Sequence, residues 1–516
     1  MSRTLDLYDI QGNICKGYGR FGFPKARYVF IEFHHYAGGR EFLQNLIPLI
    51  TTAEPWSEKD HPDQSDKPPA TTNIGFTYRG LCALGLPLRS LDGFPLEFRM
   101  GMKSRAGILS DSGPSSPDHW DPVWAGEAVH AWLSINGQTE EDVEQRYAVI
   151  RQLIHDSGGT VSIRPGHKGP GGSLLPYQDA SAVYENGKVT PKEHFGYVDG
   201  IGNPYFEGCG NDPARLPGRG KLNKDGSWSA LATGEFILGH IDEAQEYPQA
   251  PEPHLLSRNG TFMVYRKLHE NVKTFNDYVD AMARDFDGSR ELLMAKFSGR
   301  WPDNGAPLVI APDDAAKAEL DQQLAALSQK AGAGDTGAAT QLAALKEQWI
   351  NFAYEKDKHG GKCPIGAHIR RANTRASLET EKDAFNTPSA LDDRRRLMRR
   401  GLPYGGHDAI SDDNSEQGII FMCISASLER QFEFVQQQWI NYSNDFHLGN
   451  DRDVLIGANN GLLTDKHIIQ VNPKKGKAPF FCTHLPRLVE TRGGDYFFLP
   501  SITALHMIAQ GIIDPT

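Results

Sequence analysis

The chain has 516 residues, 39% of them hydrophobic and 10% aromatic, and a formal net charge of -11 at pH 7. This length predicts more than one hydrophobic core and therefore more than one domain. The acidic balance argues against a nucleic-acid partner, because binding a phosphate backbone needs clustered cations. The sequence contains no run of about 18 apolar residues, so we expect no membrane-spanning helix. The N-terminal residues lack the apolar segment of a signal peptide, which predicts a cytoplasmic location.

The six cysteines are widely spaced and include no C-x-x-C pair. This spacing argues against a zinc ribbon or an iron–sulfur motif and is typical of reduced thiols.

Hydrophobic periodicity in the first half of the chain predicts the order strand, helix, strand, strand, helix, strand, over residues 27–35, 40–50, 73–78, 128–136, 139–154 and 160–163. The second of these helices has the clearest signal. Thr139 followed by acids is an N-cap, and four apolar residues then recur at helical spacing: Val143, Tyr147, Ile150 and Ile154. This order of elements is typical of a ferredoxin-like unit.

The second half predicts a similar unit, with strands at 261–268, 418–426 and 495–500 and helices at 272–297, from 428 onward and at 501–510. The fold class is therefore α+β, with two ferredoxin-like domains of antiparallel sheets and peripheral helices, over residues 1–215 and 216–516. Residues 313–351 predict an inserted helical hairpin. Its apolar stripe, Leu320, Leu324 and Leu327, is expected to pack on its own domain.

One loop, residues 194–204, holds a single carboxylate, Asp199, among several glycines. Gly196, Gly200 and Gly202 allow backbone angles closed to other residues and let a ligand approach the main chain. Such a loop can hold one carboxylate against a flat ligand. The alternative is a simple Asp-Gly turn between two strands.

A second segment, residues 363–375, has a histidine, His368, with small or apolar residues before it and Arg370, Arg371 and Arg375 after it. A neutral imidazole there can ligate a metal held in a wide, flat cofactor. Nearby arginines can pair with that cofactor's carboxylates. The alternative is a hydrogen-bonded structural histidine.

A third segment, residues 394–405, is rich in arginine. Arg399 lies just before Gly401 and Pro403, which predict a fixed turn able to aim its guanidinium inward. Arg396 and Arg400 flank it, and the pattern leaves open whether either shares its role. The run as a whole is also typical of a solvated helix face.

In this order the three segments resemble the dye-decolorising peroxidase family. The matching motifs are G-x-x-D-G at 196–200, the A-H-I-R segment at 367–370 and R-x-x-x-P-[YF]-G at 399–405. Residues 9–14 are similar to the family's opening and residues 493–501 to its closing strand, so the likeness covers nearly the whole chain. The length is similar to that of the family's larger branch.

The resemblance implies haem b (iron protoporphyrin IX), bound in the C-terminal domain. His368 matches the proximal iron ligand, Asp199 the distal acid–base residue and Arg399 the distal arginine. Arg375 matches a partner of a haem propionate, although this chain has Asn373-Thr374 where the family often has N-P.

The resemblance also implies a carboxylate that accepts the other ring N–H of the proximal histidine. Asp453 aligns with it, with Asp451 close by. Ile201, Ile419 and Phe421 match apolar residues against the haem, and each also suits an ordinary core.

The implied activity is that of a peroxidase, which uses hydrogen peroxide to form a ferryl intermediate and then oxidises dyes, phenolic compounds and similar one-electron donors. A carboxylate base such as Asp199 works in acid, since an ordinary aspartate has a pKa of about 3.9 against about 6.5 for histidine. The sequence therefore predicts an acidic optimum. One alternative is a haem-binding or haem-handling protein with incidental peroxidase activity. Another has no haem, with His368 structural and the glycine-rich loop carrying a mononuclear metal or a carbohydrate.

Overall fold

The computed structural model describes residues 5–56, 66–208, 215–375, 377–378, 390–406, 412–470 and 478–513. Cys209, one of the six scattered thiols, lies outside the described residues. The five described cysteines are all free thiols.

Ten strands of the described chain form one antiparallel sheet. They are β1 (Lys25–Phe33), β2 (Ala70–Phe76), β3 (Ala131–Gly137), β4 (Val161–Ile163), β5 (Gln178–Ser181), β6 (Thr261–Glu270), β7 (Met398–Arg399), β8 (Leu402–Tyr404), β9 (Gly418–Ser425) and β10 (Val489–Leu499). Short hairpins form elsewhere: His167–Lys168 with Leu174–Leu175, Val183–Glu185 with Lys188–Thr190, Lys221–Leu222 with Trp228–Ser229, and His467–Ile469 with Phe480–Cys482.

The four strands of the first predicted unit run in the order β2-β3-β1-β4, as in a ferredoxin-like sheet. The register places Leu133 of β3 between Val29 of β1 and Ile74 of β2. β2 and β3 are buried at every residue. Both faces of the sheet in this half are therefore covered by helices and loops.

The second half repeats that order, because β7-β9-β6-β10 corresponds to β2-β3-β1-β4. The two halves join where β10 pairs with β2, at Phe498 and Phe76. The α+β fold with two ferredoxin-like units is confirmed, and the structure adds that their sheets are hydrogen-bonded into one. The division between residues 215 and 216 stays a prediction.

The α-helices of the described chain are Gly12–Cys15, Tyr36–Leu46, Tyr78–Ala83, Leu88–Asp92, Leu96–Ser104, Ala106–Leu109, Glu140–Asp156, His254–Ser257, Val272–Ala283, Arg290–Ser298, Asp314–Gly332, Thr336–Glu347, His368–Ala372, Ala390–Asp393 and Ile502–Gln510. The Glu140–Asp156 helix confirms its sequence signal: Thr139 and Asp142 form a reciprocal capping box, and the four predicted apolar residues are buried.

Two helices differ from prediction. The single helix expected at 272–297 is two helices, because the chain breaks around Gly288 and Ser289 caps the second one by accepting a hydrogen bond from Leu292 N at 3.0 Å. The helix expected after 428 has the wider π winding over Leu428–Glu433 and Val435–Ile440. Its predicted apolar face is nevertheless buried.

The inserted hairpin is confirmed as the Asp314–Gly332 and Thr336–Glu347 helices, which Asp313 and Asp335 cap. Its apolar stripe packs on the same half of the chain: Leu320 is buried in a cluster with Trp301 and Leu308, as the sequence predicts. Among the described residues, no helix is both long enough and apolar enough to cross a membrane.

Candidate active site

A large cavity opens between the sheet and the helices of the second half, and the loop at 198–204 closes part of its wall. Its lining includes most of the residues singled out in the sequence: Asp199, Ile201, His368, Arg375, Arg399, Ile419 and Phe421. The fold therefore brings together residues 200 positions apart in the chain.

His368 begins the short His368–Ala372 helix, and its Nδ1 lies 3.1 Å from Oδ2 of Asp453. Asp453 is fully buried, and its Oδ1 accepts hydrogen bonds from the backbone N–H groups of Leu455 and Ile456, each at 2.9 Å. A proton on Nδ1 is thereby fixed, and the lone pair of the neutral ring is left on Nε2.

The electrostatics of this pair favour a charged carboxylate. Burial acts to raise the pKa of Asp453, but His368 and Arg371 outweigh it and hold the pKa below its ordinary value. Burial likewise acts to lower the pKa of His368, and the Asp453 carboxylate outweighs it, so the pKa is raised. Asp451, the other acid considered from the sequence, instead pairs with Lys466 Nζ at 2.7 Å. Asp453, which does not itself line the cavity, is the carboxylate that contacts His368.

Asp199 forms an ion pair with Nη1 of Arg399, which lies at the end of β7. Nη2 of Arg399 also donates to the carbonyl oxygen of Ile201 at 3.2 Å. Asn203 ties the same loop to the strand in both directions: its Oδ1 accepts from Arg399 N at 3.1 Å, and its Nδ2 donates to Arg399 O at 3.3 Å. The carboxylate and the cation thus face the cavity as one fixed unit.

The loop that carries Asp199 needs its glycines. Gly200 and Gly202 have φ angles of 73° and 78°, in the region that residues with a Cβ rarely adopt. A Cβ at Gly202 would also lie 3.4 Å from Nη2 of Arg375. Val198 pairs with Lys192 in an isolated bridge, and no strand follows Asp199 in this described loop. The alternative of an Asp-Gly turn between two strands is therefore wrong.

Three buried arginines line another part of the cavity: Arg300, Arg375 and Arg396. None forms an ion pair with a carboxylate of the described residues. Arg375 donates to the carbonyl oxygens of Ile350 and Phe352, the latter at 3.0 Å. Burial, with repulsion from Arg300, lowers the pKa of Arg375 to about 9. Such cations are costly to bury and favour an anion within the cavity.

The structure separates the arginines that the sequence left open. Arg400 turns away from the cavity and donates to the backbone carbonyls of Asn13 and Ile14, the latter at 2.6 Å. Arg396 lines the cavity, but its Nη2 donates to Arg219 O at 3.4 Å, and it does not share the Asp199 pair. Arg399 alone of this run contacts Asp199 within the described residues.

Sequence reasoning missed six charged residues in the cavity wall, which are Asp111, Glu193, Arg266, Glu270, Arg300 and Arg487. Glu193 stands one residue before the segment chosen from the sequence. Glu270 is the last residue of β6, and Arg300 follows Gly299 just past the end of a helix. The only available signal was a charged residue beside an apolar run, which is common on protein surfaces.

Comparison with known proteins supports one family. Residues 9–168 match the model of the DyP dimeric alpha+beta barrel domain. A dye-decolorizing peroxidase of Mycetinis scorodonius is 25% identical, over 98% of this chain and 88% of its own length. A multifunctional dye peroxidase of Amycolatopsis sp. is 26% identical, over 97% of this chain and 96% of its own length.

Solved structures agree. An ancestral D-type dye decolorizing peroxidase is 27% identical, with a TM-score of 0.71 over 97% of this chain and 98% of that one. A fungal DyP-type peroxidase from Auricularia auricula-judae is 25% identical, with a TM-score of 0.72 over 98% of this chain and 99% of that one. Likeness along the whole length, together with the meeting in one cavity of the histidine, aspartate and arginine of three ordered motifs, supports membership of the dye-decolorising peroxidase family.

Proposed function

We propose that the chain is a haem b peroxidase that uses hydrogen peroxide to oxidise dyes, phenolic compounds and similar one-electron donors. The observation that carries the proposal is the meeting, in one cavity, of His368 backed by the buried Asp453 and of the Asp199–Arg399 ion pair. The relatives named above support the same chemistry.

The residues of the cavity fit a haem. His368 would ligate the iron through Nε2, because Nδ1 is occupied by Asp453. Arg375, with Arg300 beside it, would take the propionates, since neither has a carboxylate partner among the described residues. Ile201, Ile419 and Phe421 would contribute apolar wall. When bound, the haem supplies the redox chemistry of its iron.

Asp199 moves the proton of the peroxide. Breaking the O–O bond requires that a proton leave one oxygen and arrive on the other, and a single carboxylate within reach of both can do this. Arg399 holds that carboxylate in place and offers a fixed positive charge to the negative charge that develops as the oxygens separate. Asp453 acts from behind His368: its charge on the Nδ1–H side makes Nε2 a stronger donor.

The test is a comparison of the wild-type chain with Asp199→Asn. We expect a Soret band in both proteins, because Asp199 does not hold the haem. In stopped-flow mixing with stoichiometric peroxide, we expect the variant to react about 100-fold more slowly or worse, as for loss of a positioned proton-transfer group. A variant that reacts at the wild-type rate would reject the role of Asp199 and favour haem binding or handling as the function. A chain that binds no haem would reject both.

The division of the chain is also a proposal: residues 1–215 would supply Asp199, and residues 216–516 would supply His368, Arg375, Arg399 and Asp453, so that the haem would lie mainly in the second domain. Limited proteolysis that yields two stable fragments cut near residue 215 tests it. The cytoplasmic location stays a prediction, for which cell fractionation is the measurement.

A further inference from the structure

Two glutamates that the proposed chemistry does not use lie together in the wall of the same cavity. Glu193 stands in the loop that leads to Asp199, and Glu270 ends β6. Both are buried, with 7% and 3% of their surface exposed. Two acids in so enclosed a place need an explanation, since a buried carboxylate without a cation is costly.

Glu193 is the centre around which the Asp199 loop is folded. Its Oε2 accepts from Phe195 N at 2.8 Å, and its Oε1 accepts from Tyr197 N at 2.7 Å. The backbone of the loop is closed by Asp199 N, which donates to Pro191 O at 2.7 Å. Because both oxygens of Glu193 accept backbone hydrogen bonds, its side chain is suited to carry the negative charge.

Glu270 is suited to be the neutral partner. It forms a side-chain hydrogen bond with Glu193 and accepts from the backbone N–H of His194. Its Oε2 is buried and accepts no hydrogen bond from the residues that the structure describes. Neither glutamate forms an ion pair with a Lys or Arg of the described residues. Two carboxyl groups this close in an apolar wall cannot both ionise, so the pair retains one proton.

The groups around the pair do not neutralise it. On the same loop, the ring of His194 is engaged by Tyr404 O and Gln417 Nε2. On β6, the ring of His269 is engaged by Asp413 O. The pKa of Glu270 is raised well above its ordinary range, mainly by burial, then by the charge of Glu193, and also by the Asp199 carboxylate. Burial also raises the pKa of Glu193.

We propose that Glu193 and Glu270 form a proton store that supplies Asp199 within the cavity they share. All three carboxyl groups line this one cavity. The inference rests on the peroxidase function proposed above. It makes Glu270 a positioning residue for a proton, acting through Asp199, and gives Glu193 a second task beside shaping the loop.

The proton balance shows when such a store is needed. In breaking the O–O bond, Asp199 takes a proton from the peroxide and returns it, so no proton is consumed. Over a whole turnover, one hydrogen peroxide, two electrons from the donor and two protons become two waters. These two protons must enter the cavity. In each delivery an O–H bond of Glu270 breaks and an O–H bond of Asp199 forms, while Glu193 takes up a proton from solvent and forms an O–H bond. The pair thus keeps one proton and one negative charge, and no electron is transferred.

The variant that tests this is Glu270→Gln, which keeps the shape of the side chain but carries no transferable proton. We expect its reaction with the first equivalent of peroxide to match that of the wild type, while turnover at saturating peroxide and donor falls about 10-fold. Glu270→Asp should return turnover toward the wild-type value. The matched control is Glu97→Gln, since Glu97 is also buried but lies outside this cavity. The turnover of this variant should not change.

The pH profile separates a proton store from a structural pair. The store is filled below the raised pKa of the pair and empties above it, so wild-type turnover should fall as pH rises through that pKa. Glu270→Gln should lack this limb. If the pair only shapes the loop, Glu270→Gln would keep the wild-type limb, and this result would overturn the proposal.

A second measurement does not depend on turnover. Infrared spectra of the haem-free chain at neutral pH should contain the carbonyl stretch of a protonated carboxylic acid that Glu270→Gln lacks and Glu97→Gln keeps. Absence of that band from the wild type would overturn the store. A wild-type chain that fails to react with peroxide overturns the proposed function and the store with it, whereas an active wild type with an equally fast Glu270→Gln overturns the store alone.

Discussion

Replacing Asp453 by Asn tests the most specific contact of the site. The amide oxygen can still accept the two backbone hydrogen bonds that Oδ1 accepts from Leu455 and Ile456. The amide nitrogen then faces Nδ1 of His368 in place of Oδ2, 3.1 Å away. Since an amide N–H cannot accept a proton, His368 must either keep an opposed N–H or move its proton to Nε2, the nitrogen that would bind iron.

Both outcomes weaken haem binding. Loss of the carboxylate behind a metal-binding histidine typically costs 10- to 100-fold in metal affinity, or about 1.4 to 2.8 kcal/mol. We expect the Kd for haem to rise by about that factor. The assay is titration of haem into the haem-free chain, with the Soret band as the signal.

Asp451→Asn is the matched control. Asp451 is also buried, only two residues away, but its carboxylate pairs with Lys466 and not with His368. We expect this variant to bind haem as the wild type does. An unchanged Kd in Asp453→Asn would refute the role given to the carboxylate, and an equal loss in both variants would trace the effect to the loop as a whole.

Two further predictions concern charge. Arg399→Leu should slow the reaction with peroxide by about 100-fold, because a fixed cation facing the developing negative charge is lost. Arg400→Leu is the control and should react at the wild-type rate in the same stopped-flow assay, since Arg400 donates to the carbonyls of Asn13 and Ile14. Burial raises the pKa of Asp495 to about 6 from an ordinary 3.8, so the folded state loses stability as pH rises between these values. Asp495→Asn, whose amide oxygen can keep both backbone bonds from Met102 and Tyr496, should be about 3 kcal/mol more stable than the wild type at pH 7. Below pH ~4 the two should be equally stable in urea unfolding. Equal stability at pH 7 would contradict this reasoning.

Much of the fold was predictable because the spacing of apolar residues along the chain indicates each helix and strand locally. The Glu140–Asp156 helix carries a capping box and four apolar residues at the right spacing, and nothing in the tertiary structure opposes them. The joining of the two sheets was not predictable, since the pairing of Phe76 with Phe498 joins distant strands and leaves no local pattern. The break at Gly288 was missed because apolar residues continue across it at nearly helical spacing.

The site was predictable only where a residue type is unusual for its surroundings. A lone acid among glycines and a histidine before arginines both drew attention to segments that the structure brings together in one cavity. The choice of Asp453 over Asp451 came from the family resemblance alone, because both lie in a loop without any hydrophobic period and both are buried. Glu270 could not be identified from the sequence, because an acid at the end of a strand is common. Glu270 becomes a partner of Glu193 only through the packing of the Asp199 loop against β6.

The position of Asp199 relative to Arg399 does not depend on their ion pair alone. Asn203 binds both the N–H and the carbonyl of Arg399, so the glycine-rich loop is tied to β7 by the backbone of that residue. Pro191 and Glu193 close the other side of the loop through Asp199 N, Phe195 N and Tyr197 N. These bonds survive when the side chain at 399 is changed. The loss expected for Arg399→Leu is therefore a loss of positive charge at the peroxide, with the carboxylate still in place.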